Sequence, residues 1–120
     1  MLAYLGDGIY ELYVRQYLIS LNIVKVDILQ KEAIKFVSAK SQSKYLKLLT
    51  SNNFFSEEEV SIILRARNHK GTNKPKNTDI ITYKHATSLE ALIGYLNISG
   101  NDDRIKEIMK EIISLNKRGE

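Results

Sequence analysis

The sequence predicts an all-α domain of five to six or more helices, arranged as an orthogonal or bundle-like array. Apolar residues recur at three- and four-residue spacings along nearly the whole chain, and no stretch shows the strict alternation of a half-buried strand. One proline and six glycines among 120 residues leave little material for linkers. Helix start signals stand where the apolar pattern breaks, most clearly Ser56 with Glu59 and the run SGND. The length suits one domain spanning residues 1–120, large enough to bury a core.

Residues 2–20 read as the first helix. Leu5, Ile9, Leu12 and Gln16 fall on one side, and Ala3, Asp7, Val14 and Leu18 on the other. A helix apolar on both sides is expected to be central and buried. Residues 27–50 read as one long helix or two short ones, with Ile28, Ala33, Phe36, Val37, Tyr45 and Leu48 or Leu49 inward. The capping box at Ser56 opens a helix to about residue 69, whose apolar stripe is Val60, Ile63 and Leu64. Residues 70–81, KGTNKPKNTDII, form the one clear loop. A helix from about 82 to 98 follows. SGND then caps a last amphipathic helix with Ile105, Ile108, Met109, Ile112 and Leu115 on its inner face.

Composition excludes several classes. The absence of cysteine rules out disulfides and thiolate metal sites and suits a reducing cytoplasm. No apolar run reaches the length of a membrane span, and no basic segment precedes the first apolar stretch as in a secretory signal. There is no G-x-G-x-x-G, P-loop or G-x-S-x-G, and the two histidines, His69 and His85, fit neither H-x-x-x-H nor HD spacing.

The net charge of +4 is concentrated. Residues 65–84 carry six cations, Arg65, Arg67, Lys70, Lys74, Lys76 and Lys84, against Asp79 alone, a local +5 that leaves the remaining residues at −1. Such a segment suits an anionic partner, although a solvated lysine-rich loop has the same composition.

Two carboxylates stand alone in strongly apolar stretches, Asp7 in LAYLGDGIYELYV and Glu90 in SLEALIGYL. No lysine or arginine lies within seven residues of Asp7 or within five of Glu90. A buried carboxylate must be protonated, paired or bound to a cation. Gly6 and Gly8 flank Asp7, and Tyr83, Ala86, Thr87, Glu90, Gly94 and Asn97 share a helix face, so small residues surround both acids and something can approach closely. Mg²⁺ takes one or two carboxylates and completes its octahedron with water and phosphate. Such a site beside a basic segment suits phosphodiester cleavage. The alternatives are an Asp7 satisfied by a tyrosine or a backbone amide, and a Glu90 that faces solvent. Glu11, one turn after Asp7, is read as the ion-pair partner of Arg15 rather than as a holder of metal-bound water.

LAYLGDGIYELYV resembles the nuclease-motif helix of the ribonuclease III family, written there roughly LEFLGDAVLEL. SLEALIGYL resembles that family's second acidic segment, roughly TFEALIGAIYL, and KEAIKFVSAKSQSKYL its intervening helix with a V-S-x-K-S run. RARNHKGTNKPKN and TYKHATSLEALIGYL are similar to the R-x-R-N-x-K and P-K-N-x-D…TY-x-x-AT segments of the mini-ribonuclease III branch, which has no double-stranded-RNA-binding domain. Order and spacing agree over nearly the whole chain, and no such domain is expected after its last helix. Met1 adjoins the first motif directly, where the family normally has a short preceding segment.

The resemblance implies a ribonuclease III-type fold and a homodimeric endoribonuclease that cuts both strands of double-stranded RNA, leaving 5′-phosphate and 3′-hydroxyl ends. The branch implies trimming of precursor 23S ribosomal RNA. Asp7 and Glu90 match the metal-binding catalytic acids, with Mg²⁺ as the ion and Mn²⁺ as a substitute. Arg65, Arg67, Asn68, Lys70, Lys74, Lys76 and Lys84 are expected to grip RNA phosphates. Ala3 and Thr87 stand where full-length family members carry further acids, so a tightly held second metal is not expected. The rival readings are a catalytically inactive RNA-binding or ribosome-associated dimer, and a plain helical interaction domain. The retained acid pair argues for the enzyme.

Overall fold

The structure, a computed structural model, describes residues 1–69 and 79–119. Among these residues all regular structure is helical, in six helices: α1 (Leu2–Ser20), α2 (Val26–Val37), α3 (Ala39–Ser51), α4 (Glu57–Arg67), α5 (Ile80–Ile98) and α6 (Asp102–Lys117).

Local chemistry sets the boundaries. Ser38 is extended (φ −63°, ψ 151°) and its hydroxyl accepts the Ser41 amide, so residues 27–50 divide into two short helices rather than one long one. Ser56 and Glu59 form the expected capping box. Asp79 caps α5 by accepting the Thr82 amide at 3.2 Å, which starts that helix two residues before the expected position. Gly100 at φ +77° turns the chain, and Asn101 caps α6.

α5 is the central helix. It packs on α1, α3, α4 and α6, and its contact with α1 is the most extensive in the fold. Its Leu89, Leu92, Ile93 and Leu96 join Tyr10, Val14 and Leu18 of α1, Phe36 of α2, Tyr45 and Leu49 of α3, and all five expected residues of α6 in one core. Polar ties cross that core. The Tyr10 hydroxyl donates to the Phe36 carbonyl at 2.7 Å, and Asn116 Nδ2 donates to the Tyr45 hydroxyl at 3.0 Å. Arg104 of α6 reaches Glu59 of α4 through Nε and Nη2, both at 2.8 Å, and donates to the Phe54 carbonyl at 2.8 Å.

Three expectations need correction. α1 is not buried on both sides: Gly6, Tyr10, Val14 and Leu18 form its one buried stripe, while Tyr4 and Leu12 are 87% and 54% exposed. The largest contacts of α1 are with α5 and α2, and Lys117 of α6 lies over the Tyr17 ring near its C-terminal end. In α4 the buried apolar residues are Ile62 and Ile63, while Val60 and Leu64 are exposed, because α4 turns its Glu59 side toward Arg104. Ile28, in the first turn of α2, is also exposed.

Candidate active site

The site is built where α1 crosses α5. A Cβ added to Gly6 would overlap the carbonyl oxygen of Glu90, and one added to Gly94 would overlap the carbonyl oxygen of Leu2. The two backbones therefore touch, and the small residues around the acids serve helix contact first. Gly8 has nothing near its missing Cβ and opens outward.

Asp7 follows Gly6 directly, and the crossing sets its side chain against that of Glu90. Asp7 is exposed and Glu90 is partly buried, so the two acids are not both sealed in the interior as their sequence contexts imply. The reason is that Asp7 lies near the side of α1 that no described helix covers, where Tyr4 is also exposed. Burial pushes the Glu90 carboxyl up to about 8, and the Asp7 carboxyl adds to this both by hydrogen bonding with it and by its charge. Gln42 of α3 also faces Glu90 and acts in the opposite direction.

Glu90 thus does not face open solvent, and among the described residues it makes no ion pair with a cationic side chain. Tyr10, one of the tyrosines that could have satisfied Asp7, is instead committed to the Phe36 carbonyl. Its hydroxyl is held protonated far above the usual range by burial, by Tyr45 and by Glu90. Glu11 pairs with Arg15 at 3.1 Å on the surface, as expected, and does not enter the acid pair.

Two converging carboxylates, one holding a proton that a cation would displace, fit a hard divalent ion. Among the described residues no group of three or more His, Asp or Glu side chains comes together. The donor set is therefore two acids, which suits Mg²⁺, an ion that keeps several waters and one or two carboxylates. Ala3 and Thr87 add no ligand oxygen of carboxylate type at this crossing.

The expected phosphate-binding residues divide. Arg67, Asn68 and Lys84 come together with Ile81 and His85 around a cleft of about 310 Å³ between the end of α4 and the start of α5. Arg65 is exposed on α4 but does not line this cleft. Lys70, Lys74 and Lys76 lie outside the described residues.

The sequence left the role of His85 open and gave no sign of Lys47 near this cleft. His85 is half-buried, with Nδ1 3.4 Å from the Ser43 hydroxyl, and its ring is held below the ordinary histidine range by burial and by Lys47 and Arg67. Lys47 lies on α3, outside the basic segment in sequence, so no window of local charge could reveal it. His69 is exposed. Gln42, in the polar run SAKSQSK, gave no signal, yet it is 1% exposed.

Residues 1–101 match the Ribonuclease III domain family. The chain is 45% identical to a mini-ribonuclease 3 from Brevibacillus brevis, with 96% of this chain and 84% of the relative covered. It is 40% identical to a mini-ribonuclease 3 from Enterococcus faecalis, over 90% of this chain and 82% of that one. The fold is similar to a crystal structure of a Fusobacterium nucleatum protein, with a TM-score of 0.82, 35% identity, and 94% and 88% of the two chains covered.

Proposed function

Because this chain belongs to the ribonuclease III family and is an endoribonuclease, we propose that it cleaves double-stranded RNA at a divalent-cation site held by Asp7 and Glu90. The observation that carries this reading is the convergence of the two carboxyls at the α1–α5 crossing, with no ion pair to either acid among the described residues. Mg²⁺ is the expected ion, with Mn²⁺ as a substitute. A bound cation supplies a polarised phosphate and a water acidic enough to give hydroxide near neutral pH.

The chain's own residues do the rest. Glu90 releases its proton to become a ligand, and the backbone contact at Gly6 fixes its distance from Asp7. Asp7, on the exposed side, faces the direction from which a duplex arrives. Arg67 and Lys84 hold phosphates, with Asn68 donating hydrogen bonds; Arg65, Lys70, Lys74 and Lys76 extend the same basic segment. Lys84 lies six residues before Glu90, about 9 Å along the helix axis, within the span of neighbouring phosphates. Phosphate contacts of this kind give binding that is weak and salt-dependent.

A homodimer fits the uncovered side of α1. Tyr4, Leu12 and Ile19 are 87%, 54% and 64% exposed. Beside them runs a groove of about 550 Å³ between α1 and α2, lined by Leu18, Val26, Leu29 and Ile34. Two active centres in such a dimer cut the two strands of one duplex. The mini-ribonuclease-like motifs favour precursor 23S ribosomal RNA as the substrate and hence a cytoplasmic setting. No helix among the described residues is long and apolar enough to cross a membrane.

The test is incubation of the protein with duplex RNA in Mg²⁺ and in EDTA, beside Asp7→Asn and Glu90→Gln. Cleavage should need the metal and be lost in both variants, with helical circular dichroism unchanged. Normal cleavage by both variants would sink the cation-site reading.

A further inference from the structure

Gln42 sits on α3, which packs directly on α5, and is 1% exposed. Burying a primary amide costs free energy unless its hydrogen bonds are made, whereas an apolar side chain of the same length costs nothing there. Its Nε2 has no hydrogen-bond partner, the single such buried side-chain atom among the described residues. The side chain nevertheless faces the Glu90 carboxyl. A fully buried donor kept unpaired beside the Glu90 carboxylate calls for a reason beyond packing.

We propose that Gln42 is a positioning residue of the cation site, its Nε2 donating to the Glu90 carboxylate and fixing the orientation in which that carboxylate meets a divalent ion shared with Asp7. The inference rests on the reading of Asp7 and Glu90 as the cation site. The residue type suits the task. A lysine or arginine in this place would neutralise Glu90 and repel the incoming cation. A neutral amide orients the carboxylate and leaves the negative charge of the pair free for the ion. Groups that hold a metal ligand from behind typically change metal affinity by about 10- to 100-fold when removed.

The experiment measures binding of Mn²⁺ alone, without RNA, by calorimetry on the full chain. It compares the wild type with Gln42→Met, Gln42→Leu and Asp7→Asn, and records the metal-free Tm of each. Gln42→Met keeps the length and removes the donor; Gln42→Leu does the same with a different shape, so that one failure to fold does not decide the matter. Both Gln42 variants should bind Mn²⁺ about tenfold more weakly, with a metal-free Tm unchanged or higher. A purely structural glutamine predicts the reverse: a lower metal-free Tm and unchanged affinity, an outcome that overturns the proposal. If the Gln42 variants bind like the wild type while Asp7→Asn binds weakly, the role of Gln42 falls and the cation site stands. If Asp7→Asn itself binds Mn²⁺ like the wild type, both readings fall.

Discussion

The carbonyl oxygen of Glu90 occupies the space where a side chain on Gly6 would begin. One backbone contact therefore does two tasks: it lets α1 and α5 pack backbone against backbone, and it brings Asp7 within hydrogen-bond reach of the Glu90 carboxyl. Fold and candidate site share this point, so a change here should disturb both.

Gly6→Ala is expected to force α1 away from α5 and to lower stability by about 1–3 kcal/mol or more, the usual cost of overpacking. Gly8→Ala, with open space at its Cβ, should be neutral or should stabilise α1 by up to about 1 kcal/mol through helix propensity. Urea denaturation of the two variants checks this pair; equal midpoints would contradict the crossing geometry.

The raised Glu90 carboxyl sets a pH dependence. Its ordinary value is 4.5, and the folded protein holds it at about 8. Between these values the folded state carries a proton that the unfolded state has lost. Stability of the metal-free protein should therefore fall as pH rises from about 5 to 8. Saturating Mg²⁺, which favours the ionised carboxylate, should flatten or reverse the slope. Thermal melts across this range, with and without the ion, measure it, and Glu90→Gln should remove the metal-free slope contributed by this group.

Glu59 behaves in the opposite sense. It is 5% exposed, and although its burial opposes ionisation, Arg104 and the Ser56 cap together hold its carboxyl below the ordinary range. A depressed carboxylate contributes stability above its unfolded value that is lost as pH falls through the folded one. Arg104→Ala strands this charge, and it also removes the guanidinium from the Phe54 carbonyl and ring. The expected loss is about 3–5 kcal/mol, as for other buried pairs broken on one side. Chemical denaturation at pH 7 tests the magnitude, and a loss below about 1 kcal/mol would show the pair to behave as a surface one.

The basic cleft predicts a salt signature. In an Asp7→Asn background, which is expected to prevent cleavage, Arg67→Ala and Lys84→Ala should each weaken duplex-RNA binding. Each should also reduce the slope of log affinity against log salt by about one unit, as for the loss of one phosphate contact. Binding titrations at several salt concentrations give the slopes directly; wild-type slopes in both variants would remove the cleft from the RNA interface.

Much of this architecture is written locally. Ser56 and Glu59 cap each other within four residues, SGND turns and caps within another four, and the α6 stripe of Ile105, Ile108, Met109, Ile112 and Leu115 follows from helical period alone. The isolation of Asp7 and Glu90 among apolar residues likewise needed no coordinates to be noticed. A period shows which residues share a face, but not which helix covers that face. Only the tertiary arrangement decided that the Tyr4 and Leu12 side of α1 is exposed, that Ile62 is buried while Val60 and Leu64 are not, and that Lys47 acts on His85 of a distant segment. It alone brought the two acids together, because the approach of Gly6 to Glu90 joins residues 84 positions apart. Gln42 is the sharpest case: in sequence it is one polar residue in a polar run, and only the packing of α3 on α5 turns it into a buried donor beside a carboxylate.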